Sequence, residues 1–198
     1  AWDVIKVESN VRSRAAISRT YLFRTELIEE WPSGIDENLF NEACELIIGT
    51  HDFSNFCKLE EGKNPIRTIS NCEPWYSSDG RLIGLLITSE AFLWNQVRRL
   101  AAAITGVSSG RIPLDIFKSA LNEPEVLVDL GRAQSNGLIL WAIEHKSSQG
   151  MGLNCNPDTT GFSIPPEKRY RFKRWLFMAK LEMGLLIERD WENSLNLA

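Results

Sequence analysis

The sequence predicts an α+β fold in which an antiparallel sheet carries helices on one face. Segments typical of strands and helices follow one another in the order strand, helix, strand, strand, helix, strand. The turn SSDG at 77–80 joins two of the strand segments as a hairpin, because Asp-Gly readily supplies the positive φ that tight turns need. An amphipathic segment at 166–186 adds a C-terminal helical tail.

The first two elements are a strand and a helix separated by a Pro-Ser-Gly break. Residues 20–28 are rich in aromatic and β-branched residues that roughly alternate, which predicts a strand. Asp36 is placed to cap a helix over 37–48, and Gly49 is placed to end it. The apolar face of this helix comprises Leu39, Phe40, Ala43, Ile47 and Ile48.

The remaining elements complete a β-α-β-β-α-β order. After a loop that runs through Pro65, the pattern predicts strands at 66–76 and 81–89, a helix at 90–107, a short helix at 114–121 and a strand at 137–145. This order is that of the ferredoxin-like arrangement. We expect residues 1–146 to form one compact unit and residues 147–198 to form a loop and an amphipathic helix packed on it.

Composition excludes several classes of protein. The net charge is −4 and the pI about 5.4, so a general basic coat for nucleic acid is absent. No apolar run approaches the roughly 18–20 residues of a membrane span. The four cysteines form no C-x-x-C pair and only two histidines are present, so no metal site is predicted. Free thiols in a reducing compartment are favoured, which predicts a cytoplasmic protein, and two long-range disulfides stay open as the alternative.

Basic residues are nevertheless concentrated in two places. Four arginines lie at 12–24, and a second basic run covers 168–174, where it alternates with aromatic residues. Such runs are more often solvated faces than sites for nucleic acid, so by themselves they do not decide between the two.

Four short motifs occur in a consistent order. They are SRTYLF at 18–23, GTHDFSNF at 49–56 followed by RTI at 67–69, AFLWNQVRR at 91–99 and AQSNGLIL at 133–140. Together they resemble the R-x-Y-x-[YF], G-T-H-D-F-x-x-F, F-L-x-x-x-V-R and A-P-x-x-G-L-x-L segments of tRNA pseudouridine synthases of the A family, with Gln134 where Pro is usual. The resemblance covers about residues 11–145 and corresponds to the C-terminal portion of the family's catalytic domain.

The resemblance also exposes a departure from the family. These synthases carry their catalytic aspartate in an R-T-D-x-G motif in the N-terminal half, and no such motif occurs here. The segment RTE at 24–26 is not followed by Gly and is not accepted as a substitute. The chain is therefore expected to begin just after the missing half and to be inactive alone.

The resemblance implies an isomerase that converts uridine to pseudouridine in the anticodon arm of tRNA, without a metal or redox cofactor. It further implies a homodimer, with tRNA and the missing N-terminal half as partners. The alternative is a non-catalytic RNA-binding or assembly module of the same fold, towards which the acidic pI points.

Three residues inherit pocket roles from the resemblance. Tyr21 would receive the flipped base, Arg98 would orient the absent aspartate, and Leu138 would contact the base. Each has a structural alternative: Tyr21 packs on the sheet, Arg98 is a helix-surface arginine beside the apolar face, and Leu138 is a core leucine.

The tRNA would also need cations near the site. Arg12, Arg14, Lys58 and Arg67 are the candidate phosphate contacts. His51 and Asp52 follow the predicted helix end, where we expect their side chains to satisfy backbone groups rather than to act in catalysis.

Overall fold

The computed structural model of the chain describes residues 16–29, 31, 34–146 and 157–196. Its strands are β1 (Ser18–Phe23), β2 (Gly49–Asp52), β3 (Ile66–Tyr76), β4 (Leu82–Ser89) and β5 (Leu138–Glu144). Its α-helices are α1 (Glu37–Leu46), α2 (Gln96–Ser108), α3 (Leu114–Asn122) and α4 (Arg169–Asn196). Short 3₁₀ turns occupy Thr25–Leu27, Ser54–Phe56 and Ser135–Gly137.

The strands form one five-stranded antiparallel sheet in the order β2-β3-β4-β1-β5. Strands β3, β4, β1 and β5 reproduce the predicted ferredoxin-like arrangement, so the α+β prediction is confirmed. Strand β2, which pairs with β3 at the sheet edge, was predicted as loop. Its four residues GTHD lack the apolar alternation by which strands are identified in a sequence.

Two predicted boundaries were wrong. The first strand ends at Phe23 rather than at residue 28, because Thr25–Leu27 turns into a 3₁₀ helix. The second long helix begins at Gln96 rather than at residue 90. Asn95 there adopts a left-handed backbone with φ of 62°, a conformation that cannot continue from or into a right-handed helix without a break.

Other boundaries agree closely with the predictions. Strand β3 covers the predicted residues, and Gly80 has the positive φ expected of the 77–80 turn. The side chain of Asp36 accepts hydrogen bonds from the backbone N–H groups of Asn38 and Leu39, as an N-cap should. Gly49, with φ of 111°, separates α1 from β2.

The three helices α1, α2 and α3 pack on one face of the sheet and form the larger core. Phe40 of α1, Leu100 of α2 and Phe117 of α3 are fully buried in this core. Each buried leucine or phenylalanine stabilises the fold by roughly 1.5–3 kcal/mol relative to an exposed one. Gly84 of β4 lies so close to β1 that a Cβ atom would approach the backbone oxygen of Phe23 within 2.1 Å.

Helix α4 covers the opposite face of the sheet. Its buried side chains Phe172, Trp175, Ala179, Met183 and Leu186 pack against β-strand residues that include Leu22, Ile83 and Ile139. The helix is also longer than the predicted segment 166–186, since it continues to Asn196. The sheet is therefore sandwiched between two helical layers, with α4 as the second layer.

A buried ionic cluster links the sheet to α4. Arg24 and Glu26 are both fully buried, and Arg24 Nε donates to Glu26 Oε2 at 2.8 Å. Arg24 Nη1 donates to Glu182 Oε2 of α4 at 2.6 Å, and Arg81 forms an ion pair with Glu26. The Arg24 guanidinium also lies 4.3 Å from the ring centroid of Phe162. Burial lowers the pKa of Arg24, while Glu182 acts in the opposite direction.

Three cysteines in the described part of the chain are free thiols. Cys44, Cys57 and Cys72 are buried, whereas Cys155 lies outside the described residues. A hydrogen bond with Cys44, followed by burial, raises the pKa of Cys72. Within residues 16–29, 31, 34–146 and 157–196, no helix is long and apolar enough to cross a membrane. Over the same residues, no group of three or more His, Cys, Asp or Glu is placed to hold a metal ion.

Candidate active site

Tyr21 lies in the middle of β1 and faces α2. Its backbone pairs with Ile87 of β4 on one side and with Leu140 of β5 on the other. Its ring is half-buried and meets Phe92 edge-on, with the ring centroids 5.2 Å apart. Phe92 belongs to the segment 91–95 that leads into α2, so the tyrosine ring is packed against the entrance to that helix.

A register irregularity marks this point of the sheet. The pairing of β1 with β5 shifts between Thr20 and Tyr21, which is a β-bulge or a related irregularity. Bulges are over-represented beside functional sites because they re-aim a side chain relative to its neighbours. The ladder with β5 is thus irregular beside Tyr21, where the sequence predicts the base platform, whereas the ladder with β4 is regular.

Arg98 lies in the first turn of α2, where two neutral acceptors hold its side chain. Its Nε donates to the carbonyl oxygen of Ala133 at 2.8 Å, and its Nη1 donates to Asn95 Oδ1 at 3.1 Å. The backbone N–H of Ala133 returns a hydrogen bond to the Arg98 carbonyl at 3.1 Å. The guanidinium is thereby fixed in direction while several of its five N–H groups stay available.

The charge of Arg98 is not compensated inside the described structure. No carboxylate of residues 16–29, 34–146 or 157–190 forms a salt bridge with it. Burial lowers its pKa, and the nearby charge of Arg132 lowers it further. A half-buried arginine in such surroundings favours the approach of an anion, because a carboxylate there would offset both effects.

Leu138 begins β5 and shares the α2-facing side of the sheet with Tyr21. It pairs with Phe23 of β1 and packs, half-buried, against the larger core. The 3₁₀ turn Ser135–Gly137 connects it to Ala133, the partner of Arg98. Tyr21 and Leu138 therefore lie on the same side of the β1–β5 pair, and Arg98 is tied through Ala133 to the turn that leads into β5.

The candidate phosphate contacts are more dispersed. Arg67 is the second residue of β3, and its Nη1 donates to the carbonyl oxygens of Asn64 and Ile66. Lys58 follows the Ser54–Phe56 turn, with its Nζ 3.8 Å from the ring centroid of Trp94. Arg12 and Arg14 lie outside the described residues.

His51 and Asp52 make the backbone contacts expected of them. Nε2 of His51 lies 3.1 Å from the carbonyl oxygen of Ile48, just beyond α1. Oδ1 of Asp52 accepts hydrogen bonds from the backbone N–H and the hydroxyl of Ser54. Both side chains thus satisfy groups at element ends, which is the structural role favoured by the sequence.

Two residues of this site were missed in the sequence. Asn95 combines the left-handed backbone with the hydrogen bond that orients Arg98, and Trp94 beside it is 53% exposed. An available signal was the amino-acid type, because Asn is enriched at positive φ and interrupts an otherwise helical apolar pattern. The segment RTE at 24–26 belongs to the buried ionic cluster. Its carboxylate, Glu26, is fully buried and paired, so it is not accessible to a substrate as a nucleophile.

Comparison with known proteins places these residues in a family context. A family model described as tRNA pseudouridine synthase matches residues 43–146. A protein named tRNA pseudouridine synthase A from Methanocorpusculum labreanum is 32% identical over 113 residues, which are 57% of this chain and 39% of that protein. Its namesake from Thermococcus sibiricus is 30% identical over 178 residues, 90% of this chain and 61% of the relative. The protein of the same name from Thermococcus kodakarensis is 32% identical over 167 residues, which are 84% of this chain and 58% of that protein. The chain thus spans between 39% and 61% of the length of these relatives.

Proposed function

This chain belongs to the tRNA pseudouridine synthase family, and we propose that it is the C-terminal portion of an enzyme that isomerises uridine to pseudouridine in the tRNA anticodon arm. In this proposal residues 1–146 contribute half of the catalytic core, and residues 147–198 form the loop and helix attached to it. The observation that carries the proposal is Arg98, a half-buried arginine that is oriented by Asn95 and Ala133 and has no carboxylate partner in the described structure.

The roles of the pocket residues follow from this arrangement. The reaction breaks the bond between uracil N1 and ribose C1′ and forms a bond between uracil C5 and C1′; C5 loses its proton to solvent and N1 gains one, so that the product is an isomer of the substrate. An aspartate supplied by the N-terminal half would act as nucleophile or base, and Arg98 would keep it ionised and aligned through charge-assisted hydrogen bonds. Tyr21 would receive the flipped base on its ring, and Leu138 would close the apolar side of the pocket.

The N-terminal half is proposed to join at the open edge formed by β5. In the described structure β5 pairs with β1 alone, and its side chains Leu140 and Ile143 are each 41% exposed. An edge strand presents unpaired backbone groups that favour pairing with a further strand. The same edge lies beside Tyr21 and Leu138, so a partner segment there would reach the proposed pocket.

The prediction is that this chain alone forms no pseudouridine. Tritium placed at C5 of uridine is released when C5 bonds to C1′, so its release from a tRNA transcript measures the reaction. We expect release when the chain is combined with the N-terminal half and none when either half is incubated alone, because the aspartate and Arg98 are then apart.

Three outcomes separate the possibilities. Tritium release by this chain alone contradicts the prediction. Absence of release by a folded protein containing both halves contradicts the proposed activity. Salt-dependent tRNA binding without release would instead favour the non-catalytic RNA-binding module.

We further propose a homodimer that pairs through the outer face of α4. Opposite its buried face, this helix exposes Tyr170, Phe177, Met178, Leu181 and Leu185, each more than half exposed. These residues recur at helical spacing and form one stripe. Charges flanking the stripe are segregated, with basic residues at 169–180 and mainly acidic residues at 182–192. Antiparallel pairing of two copies would place each basic end beside an acidic one.

The homodimer predicts a specific response to mutation. Leu181→Glu should convert the dimer to a monomer in sedimentation velocity experiments, because it places a carboxylate at the centre of the stripe. Ile116→Glu on α3, where the isoleucine is 43% exposed, is the matched control and should leave the dimer intact. A wild-type chain that sediments as a monomer at tens of micromolar (about the concentration at which weak dimers form) would contradict the proposal.

A cytoplasmic location is part of the same proposal. It is supported by the free thiols Cys44, Cys57 and Cys72, which are typical of a reducing compartment. Imaging of a fluorescent fusion of the full-length protein would test it.

A further inference from the structure

Trp94 is an exposed aromatic side chain beside the proposed pocket. It lies in the segment 91–95 that leads into α2 and is 53% exposed. Most large aromatic residues of the described structure are buried. Outside α4, the only other exposed aromatic among the described residues is Tyr76, which is 42% exposed. An indole contributes little to folding when it faces solvent, so its position calls for another role.

Lys58 holds Trp94 in place from a different part of the chain. The backbone N–H of Lys58 donates to the Trp94 carbonyl at 2.8 Å, and Nζ of Lys58 lies 3.8 Å from the indole ring centroid. The ammonium covers one face of the indole, while half of the residue surface remains accessible to solvent. The ring is thereby preorganised, which lowers the entropic cost of using it as a contact surface.

The backbone of this segment ties Trp94 to Arg98. Asn95, the next residue, has the left-handed conformation and accepts the hydrogen bond from Arg98 Nη1 at 3.1 Å. Trp94 and Arg98 are four residues apart in the chain, and Asn95 between them links the segment before α2 to the Arg98 side chain. A ligand held by Arg98 would therefore lie close to the segment that carries the indole.

The surface beside Lys58 forms an open depression that carries both basic and acidic side chains. It has a volume of about 390 Å³ and is lined by Cys57, Lys58, Leu59, Arg99, Leu127 and Asp129, among others. Arg99 pairs there with Asp129 at 3.0 Å, and Glu60 pairs with Lys63 nearby. Arg99 is thus paired with a carboxylate. Among the described residues, the Lys58 ammonium instead contacts the face of an aromatic ring.

We propose that Trp94, backed by Lys58, is a stacking platform for a nucleobase that flanks the target uridine, with the Lys58 ammonium next to the adjoining phosphate. An exposed aromatic ring combined with a cation is the arrangement by which proteins bind unstacked bases of single-stranded RNA. The inference rests on the proposed function, because it takes the loop of a tRNA as the ligand, and it assigns a subsite outside the pocket of Tyr21, Arg98 and Leu138.

The test is a binding cycle between protein and RNA variants. Affinity of this chain for a fluorescently labelled anticodon-arm hairpin is measured by anisotropy, for wild type, Trp94→Ala and Trp94→Phe. Trp94→Ala should weaken binding about 10-fold, whereas Trp94→Phe should retain most of the affinity because a phenyl ring also stacks. Tyr76→Ala removes a 42% exposed aromatic from the end of β3, away from the proposed pocket and from α4, and is the matched control, expected to change affinity less than about 2-fold.

Abasic RNA distinguishes stacking from an indirect structural effect. An abasic site is introduced in turn at each nucleotide that adjoins a loop uridine. At one position we expect wild type to lose about 10-fold in affinity and Trp94→Ala to lose nothing further, since the base and the indole are then removed as a pair. Lys58→Met should reduce the dependence of log affinity on log salt by about one charge, while Trp94→Ala should leave that slope unchanged.

The outcomes separate this inference from the function on which it rests. If Trp94→Ala binds as wild type does while Tyr21→Ala binds more weakly, the platform is refuted and the proposed function stands. If Trp94→Ala and the abasic substitutions act additively at every position, stacking is likewise refuted. If the wild-type chain does not bind the hairpin at low salt, the inference is overturned, whereas the proposed function is overturned only by the absence of tritium release from the folded protein that contains both halves.

Discussion

Replacing Arg98 with alanine in the protein that carries both halves is expected to lower the rate of pseudouridine formation by at least about 100-fold. The side chain is directed by Ala133 and Asn95, and its remaining N–H groups are free to form a charge-assisted pair with the catalytic aspartate. Without the guanidinium, the carboxylate loses both its orientation and the charge that keeps it ionised.

The measurement is single-turnover tritium release together with tRNA affinity. We expect the rate to fall while the dissociation constant changes less than about 5-fold, because the interaction acts on the reacting groups. Arg98→Lys should remain strongly impaired, since an ammonium cannot reproduce the planar fork of donors. The control is Lys118→Ala, which removes a cation from an exposed pair with Glu42 on the helical layer and should leave the rate unchanged. An Arg98→Ala enzyme of wild-type rate would remove Arg98 from the site.

Replacing Glu26 with glutamine is expected to lower the free energy of unfolding by about 3–5 kcal/mol. Glu26 is fully buried between the guanidinium groups of Arg24 and Arg81, and removal of its charge leaves two cations facing each other. Burial and the charge of Arg24 lower the pKa of Arg81, while Glu182 raises it. Glu182 compensates Arg24 only in part.

Urea denaturation followed by tryptophan fluorescence provides the measurement. Glu29→Gln is the matched control, because the Glu29–Arg169 pair is exposed at both side chains and its loss should leave the urea midpoint close to that of the wild type. Equal stability of Glu26→Gln and Glu29→Gln would show that the buried cluster does not hold α4 to the sheet.

The predictable parts of the fold are those specified by local chemistry. The hairpin of β3 and β4 follows from alternation plus Asp-Gly, and α1 follows from the cap at Asp36. Strand β2 and the late start of α2 are not local: β2 is a strand because β3 offers it hydrogen bonds, and Asn95 interrupts the pattern through its backbone conformation.

The same distinction applies to the site. The identities of Tyr21, Arg98 and Leu138 come from motifs, but the contact of Arg98 with Ala133 joins residues 35 positions apart and depends on the fold. The sequence likewise shows a charge, Arg24, directly after the apolar residues Leu22 and Phe23. Its partner Glu182 lies 158 positions away and reaches Arg24 only because α4 packs on the sheet. Hydrophobic periodicity predicts local secondary structure and cannot predict which residues far apart in the sequence will pair.

The position of α4 has a consequence for the order in which the protein is synthesised. All five strands have been translated once Glu144 is added to the chain. The α4 side chains that cover the second face of the sheet begin only at Phe172. During that interval Leu22, Ile83 and Ile139 have no helix to cover them, and Arg24 has not met Glu182. The sheet is therefore expected to expose this apolar surface until α4 has been translated, which makes that interval the one in which the nascent chain is most prone to aggregate.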